Sequence, residues 1–178
     1  MLEGIVRESI NTGATKALRK DGYLIANIYG KGLENINAAF KSNEYIRTVR
    51  NKETIAFPVT VAGKELNVVV QGYESHAVTG NLLHVDLMVT QTGVEAKFNI
   101  PIVAVGEALG LKNKGLVHMA KERLTVKCTP ENLMNTIEID VTEMDTGASK
   151  LVRDLPELAN ITIVDSDRVA LISIIKAK

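Results

Sequence analysis

His84 and Asp86 stand two residues apart in the alternating run Leu82-Leu83-His84-Val85-Asp86-Leu87. In an extended strand successive side chains point to opposite sides. Leu83, Val85 and Leu87 then line a core stripe, while Leu82, His84 and Asp86 line the working face. An imidazole and a carboxylate so placed have three chemical uses. They can grip a metal, orient a catalytic proton, or read the edges of nucleic-acid bases.

The elements that must position this pair are mostly strands. Tyr23 to Tyr29, Thr54 to Val61 and Glu65 to Tyr73 are short apolar or alternating runs bounded by Gly or Asn. Ala62-Gly63 predicts a tight hairpin turn, and Thr79-Gly80-Asn81 another just before the His84–Asp86 strand. One helix is predicted from about Gly13 to Asp21, stopped by Gly22. A second spans roughly Asn43 to Arg50, with Ser42 as N-cap and Tyr45, Ile46 and Val49 as its apolar stripe.

Thr90-Gln91-Thr92-Gly93 is small and polar, a good place for a boundary, which divides the chain into residues 1–91 and 92–178. Beyond it Phe98, Ile100 and Ile102, then Leu124, Val126 and Cys128, then Ile137, Ile139 and Val141 each alternate with polar residues or Pro. These read as strands with one dry face. Gly106, Gly110 and Gly115 mark a loop, and Val169 to Ile175 a final, buried strand. The fold class expected is mainly β, in two β-rich domains.

The chain has 178 residues, 46% of them apolar, enough for one large or two small cores. Lys plus Arg and Asp plus Glu both number 21, so any positive field must be local. Arg7, Lys16, Arg19 and Lys20 concentrate such a field near the N-terminus. Acidic residues gather later, at Glu138, Asp140, Glu143, Asp145, Asp154 and Glu157. Cys128 is the single cysteine and sits on an apolar face, which favours a core role and a reducing compartment. Met1-Leu2-Glu3-Gly4 has neither the basic nor the apolar region of a signal peptide, and the apolar runs are too short to span a bilayer. A cytoplasmic protein without membrane contact is expected.

On the first helix Lys16, Arg19 and Lys20 share a face, with Ala14, Ala17 and Leu18 opposite. Such a stripe is commonly no more than a solvated surface. Here Arg7 precedes it on the first strand, and Asn11-Thr12-Gly13 form a polar, flexible entry whose backbone N–H groups can approach phosphates.

Gly13-Ala14-Thr15-Lys16-Ala17-Leu18-Arg19, Ala26-Asn27-Ile28-Tyr29-Gly30, Gln71, His76 and Gly80-Asn81-Leu82-Leu83-His84-Val85-Asp86 follow one another in the chain. Together they resemble the bacterial large-subunit ribosomal protein family that binds 5S ribosomal RNA. Pro101-Ile102-Val103-Ala104-Val105-Gly106-Glu107-Ala108-Leu109-Gly110 and Asp154-Leu155-Pro156 are similar to the second domain of that family's long form, often called a general stress protein. The similarity covers nearly the whole chain. It implies a six-stranded N-terminal β-barrel with short helices, docked on an irregular internal loop of 5S rRNA. By the same resemblance Arg7, Lys16 and Arg19, with Lys20 beside them, contact the RNA backbone and groove. Tyr29, Gln71, His84 and Asp86 lie on the RNA-facing sheet.

The chemistry suits those roles. Irregular RNA loops expose base edges and 2′-hydroxyls. Gln71 can donate and accept, His84 can donate, and Asp86 can accept from an exocyclic amine. The family often carries basic residues where Thr12, Ala17 and Ser75 stand here, and prolines at Ile25 and Ala77. Each missing phosphate contact flattens the salt dependence of binding by about 0.7–0.9 in slope.

Two other classes compete. An enzyme would use His84, Asp86 and His76 as a metal or acid–base cluster, with His118 reaching over from the second domain. No nucleophile elbow, phosphate loop or paired catalytic acids accompanies them, and Tyr29-Gly30-Lys31-Gly32 lacks the ending of a phosphate loop. The other class is a stress-related interaction module with weakened RNA binding, using Glu138, Asp140, Glu143 and Asp145, residues that also fit a solvated strand face. The expectation is a non-enzymatic ribosomal protein with 5S rRNA and large-subunit components as partners, and no cofactor or small-molecule substrate.

Overall fold

The structure, a computed structural model, describes residues 2–52, 54–156, 158 and 160–176. Glu157, counted above among the acidic residues, lies outside them. The chain divides into two compact units, Met1–Val94 and Glu95–Lys178.

The first unit opens with strand β1 (Leu2–Val6), followed by helix α1 (Thr12–Lys20). A hairpin of β2 (Tyr23–Gly30) and β3 (Leu33–Lys41) leads into α2 (Ser42–Arg50). Strands β4 (Phe57–Val61), β5 (Lys64–Ser75) and β6 (Leu82–Val89) complete it. The six close into a barrel in the order β1-β3-β2-β6-β5-β4, with β1–β4 and β2–β6 parallel and the other pairs antiparallel. Closure leaves no edge strand to pair with a stranger. Alternation then fills the inside: Leu24, Ala26 and Ile28 from β2, Ala38 and Phe40 from β3, Val59 and Val61 from β4, Val85 and Leu87 from β6. α2 adds Tyr45, whose ring meets Phe57 edge-on at 6.5 Å, while Ile46 and Val49 pack on the same cluster. Phe40 is fully buried, so its truncation to Ala would cost about 3–5 kcal/mol.

Several expectations are corrected here. β3 was not foreseen, because Asn35 and Asn37 interrupt its apolar residues and Asn disfavours strands. α2 takes Lys41 as N-cap, with no side-chain cap, and Ser42 becomes its first helical residue, its N–H bound to the Gly22 carbonyl. The strand expected from Thr54 begins only at Phe57. The Ala62-Gly63 turn stands as expected, both residues at positive φ, the combination that matches hairpin twist.

The second unit contains β7 (Ala96–Val105), helix α3 (Leu109–Lys112), β8 (Gly115–Met119), β9 (Arg123–Cys128), β10 (Ile137–Asp140), β11 (Ser149–Leu151), β12 (Thr162–Ile163) and β13 (Ala170–Lys176). They form one sheet in the order β10-β7-β9-β12 and another in the order β11-β13-β8. Phe98, Ile100, Leu124, Val126, Cys128, Ile137, Ile139 and Val141 are buried, as their alternation requires, and burial pushes the Cys128 thiol pKa up. Two details differ. The Gly106–Gly115 loop carries the short helix α3, and Ile175 at the end of the last strand is exposed.

Candidate nucleic-acid interface

Helix α1 is held in place by its own polar residues. Asn11 Oδ1 accepts from the Ala14 N–H at 2.7 Å, a side-chain N-cap that orders the entry expected to be flexible. Arg7 Nη2 donates to Thr15 Oγ1 at 2.6 Å, and Thr15 Oγ1 donates to the Asn11 carbonyl. Arg7 therefore ties the end of β1 to the first turn of α1. At the other end Gly22, in the left-handed region, stops the helix.

Arg19 Nε and Nη2 both donate to the Leu83 carbonyl oxygen, at 3.3 and 3.0 Å, fastening α1 to β6. Lys16 and Lys20 stay exposed on the same helix. Ala14, Thr15 and Leu18 are the half-buried positions, whereas Ala17, expected inside, is exposed. α1 lies on β2, and the outward-pointing Ile25 and Ala39, paired with each other, are buried.

His84 and Asp86 share the outer face of β6, with His84 Nδ1 3.7 Å from Asp86 Oδ1 and side chains 28% and 43% exposed. The parallel pairing of β2 with β6 sets Asn27 beside Asp86 and Tyr29 beside Met88. Tyr29 is half-buried, and burial first, then the Asp86 charge, raises its phenol pKa. Its hydroxyl is thus held in the neutral form on the aromatic ring.

Gln71 occupies a bulge: Val70 pairs with Leu87 and Gly72 with Asp86, so Gln71 is the extra residue of β5. Its Nε2 donates to Met88 Sδ at 3.4 Å, which brings it to the face that carries Tyr29 and Asp86. A second irregularity lies between Glu74 and Ser75, which pair with His84 and Leu82 and leave Leu83 over. This bulge reverses one expectation. Leu82 packs against the barrel core, and the carbonyl of Leu83 is the one that receives Arg19.

Tyr29, Gln71, His84 and Asp86 thus lie on one outer surface of β2, β5 and β6, with Arg19 tethered at its side through α1. Arg7 stands further round, at β3, where its N–H donates to the Asn37 carbonyl. Three neighbours on this surface escaped the sequence reading: Asn27, Asn37 and the exposed Glu74, which is in register with His84. The β2–β6, β2–β3 and β5–β6 pairings bring them there, so local pattern could not reveal them.

The metal alternative loses its third ligand. His76 Nδ1 accepts from the N–H groups of Val78 and Thr79, both at 3.2 Å, and so caps the β5–β6 turn. Among the described residues no group of three or more His, Cys, Asp or Glu side chains is placed to hold a metal ion. In the second unit Asp140 binds Thr142, and Asp145 binds Asn113 and the Thr146 N–H. Those hydrogen bonds lower both carboxyl pKa values. Two of the acids considered for partner binding therefore order loops.

Comparison with known proteins matches both units. Residues 2–87 match the Ribosomal L25p family, and residues 95–178 match the ribosomal protein TL5 C-terminal domain. The chain is 64% identical to a large ribosomal subunit protein bL25 of Sulfurimonas denitrificans over 178 residues, all of both chains. With the same full coverage it is 59% identical to the bL25 of Campylobacter lari and 57% identical to that of Wolinella succinogenes.

Proposed function

The chain belongs to the bL25 family of large ribosomal subunit proteins, and from that premise we propose that its N-terminal barrel binds an internal loop of 5S rRNA. It acts there as a structural, non-catalytic component of the ribosome. The observation that carries this reading is the tether between Arg19 and Leu83, which sets a cationic helix face beside the Tyr29–Gln71–His84–Asp86 surface.

The division of work follows from charge. Lys16, Lys20 and the remaining N–H groups of Arg19 meet phosphates, which position the RNA without reading it. Arg7 adds charge next to the helix entry while holding Thr15. Asp86 repels phosphate and is useful only against a donor such as an exocyclic amine. Tyr29 offers a ring for stacking and a hydroxyl, and Gln71 and His84 supply donors. The second unit, residues 95–178, contacts other components of the large subunit.

Amide chemical shifts of the whole chain, recorded while 5S rRNA is added, test the location. Shifts confined to α1, β2, β5 and β6 are expected. A footprint on β4 or on the second unit alone would place the RNA elsewhere.

A further inference from the structure

We propose that Asn27 and Asn37 extend the RNA-reading surface from β6 across β2 to β3, forming one row with Asp86. This deepens the RNA-binding reading and rests on it. The register is explicit: Asn37 pairs with Asn27, Asn27 with Asp86, and Asp86 with Gly72. With strands about 4.8 Å apart, the row from Asn37 to Gly72 spans roughly 14 Å. Its two neighbours along the strands differ in kind. Ile25 and Ala39 on one side are buried, and Tyr29 and Met88 form the next row out. The amides are therefore the first uncovered row beside the cationic helix.

Both asparagines are half-buried, and neither side chain has a hydrogen-bond partner among the described residues. Partly buried amides normally find partners, and strands seldom place Asn where a Thr or Val would serve. Gly72 at the far end adds no side chain, and a methyl built there would only touch Asp86 Oδ2 at 3.7 Å. The row is thus polar, with no side chain at its Gly72 end to stand over Asp86.

A primary amide offers a donor and an acceptor side by side. Its complement in RNA is an edge with the same pair reversed. Either a ribose 2′-hydroxyl or a base edge in the groove supplies it. Asp86 only accepts, so the amides add a requirement the carboxylate cannot impose.

The test compares the full chain with its Asn27→Ala/Asn37→Ala variant on 5S rRNA and on a transcript carrying 2′-fluoro in place of 2′-hydroxyl. The variant should bind natural 5S rRNA about 10- to 30-fold more weakly, two neutral hydrogen bonds being lost. Its salt dependence should match that of the parent, since an amide displaces no counterion. If the parent loses affinity for the fluoro transcript and the variant loses little or none, the amides read ribose. If both lose equally, they read bases. Binding of natural 5S rRNA by the variant within about twofold of the parent overturns the inference. In that case a parent that still prefers 5S rRNA leaves the wider reading standing. A parent without that preference ends both. Unchanged thermal unfolding of the variant excludes a folding defect, the two side chains lying outside the barrel core.

Discussion

The Arg19 guanidinium donates twice to the Leu83 carbonyl oxygen, at 3.3 and 3.0 Å, and so locks helix α1 against β6. Positioning and charge reside in the same side chain there. Lys16→Ala with Lys20→Ala should weaken binding to many RNAs alike and reduce the salt slope by about 0.7–0.9 per lost cation. Arg19→Lys keeps the charge without the double hydrogen bond. It should retain the salt slope yet lose part of the preference for 5S rRNA. Equilibrium binding at several salt concentrations separates the two effects, and a flattened slope for Arg19→Lys would argue against the tether.

Asp86→Asn and Gln71→Ala should act on discrimination. We expect each to narrow the gap between 5S rRNA and an unrelated hairpin by about 1–3 kcal/mol while leaving hairpin binding nearly unchanged. Asp86→Asn should also lower the phenol pKa of Tyr29, because one of its two causes is removed. Ring-proton shifts of Tyr29 across alkaline pH report it. A Tyr29 titration identical in both proteins would deny the two residues their coupling.

Lys121 and Asp165 give the second unit a pH-dependent support. Burial pushes the Asp165 carboxyl pKa up, but the Lys121 ammonium at 2.6 Å and the Thr125 N–H at 2.8 Å outweigh it and lower the pKa on balance. A lowered carboxyl pKa stabilises the fold above the ordinary carboxylate range and loses that contribution as pH falls through the folded value. Lys121→Met should cost about 1–2 kcal/mol at neutral pH and flatten the acid dependence. Hydrogen exchange of the β9 amides at neutral and acid pH would show it. An equal loss at both would place the effect in packing.

Gly4 lies where the barrel permits no side chain. A Cβ there would sit 2.5 Å from Phe40 Cε1 and 2.9 Å from Val61 Cγ2, both in partners fixed by strand register. Gly4→Ala should destabilise the first unit by about 1–3 kcal/mol. A denaturation midpoint equal to that of the parent would show that Phe40 can step aside.

Much of the architecture is legible because alternation and turn chemistry agree. Leu24, Ala26 and Ile28 alternate with outward residues, Ala62-Gly63 turns as its small residues permit, and Gly22 ends α1. The six-stranded closure itself came from the resemblance, since no local pattern shows that β1 pairs with β4 in parallel. What escaped has particular causes. The asparagines of β3 hide a strand whose interior residues are Ala38 and Phe40. Two bulges break strict period-two reading, lifting Gln71 out of register and turning Leu82 inward. Asn27 reaches Asp86 only through the β2–β6 pairing, and Asn37 joins the row through the unforeseen β3, neither of which local spacing encodes.

Equilibrium binding of the whole chain to 5S rRNA and to a scrambled RNA of equal length, titrated from dilute to physiological salt, bears most directly on the assignment. The account predicts that both complexes weaken with salt while 5S rRNA keeps an advantage of at least about a hundredfold at the upper end. Equal affinity for the two RNAs at every salt concentration would contradict it.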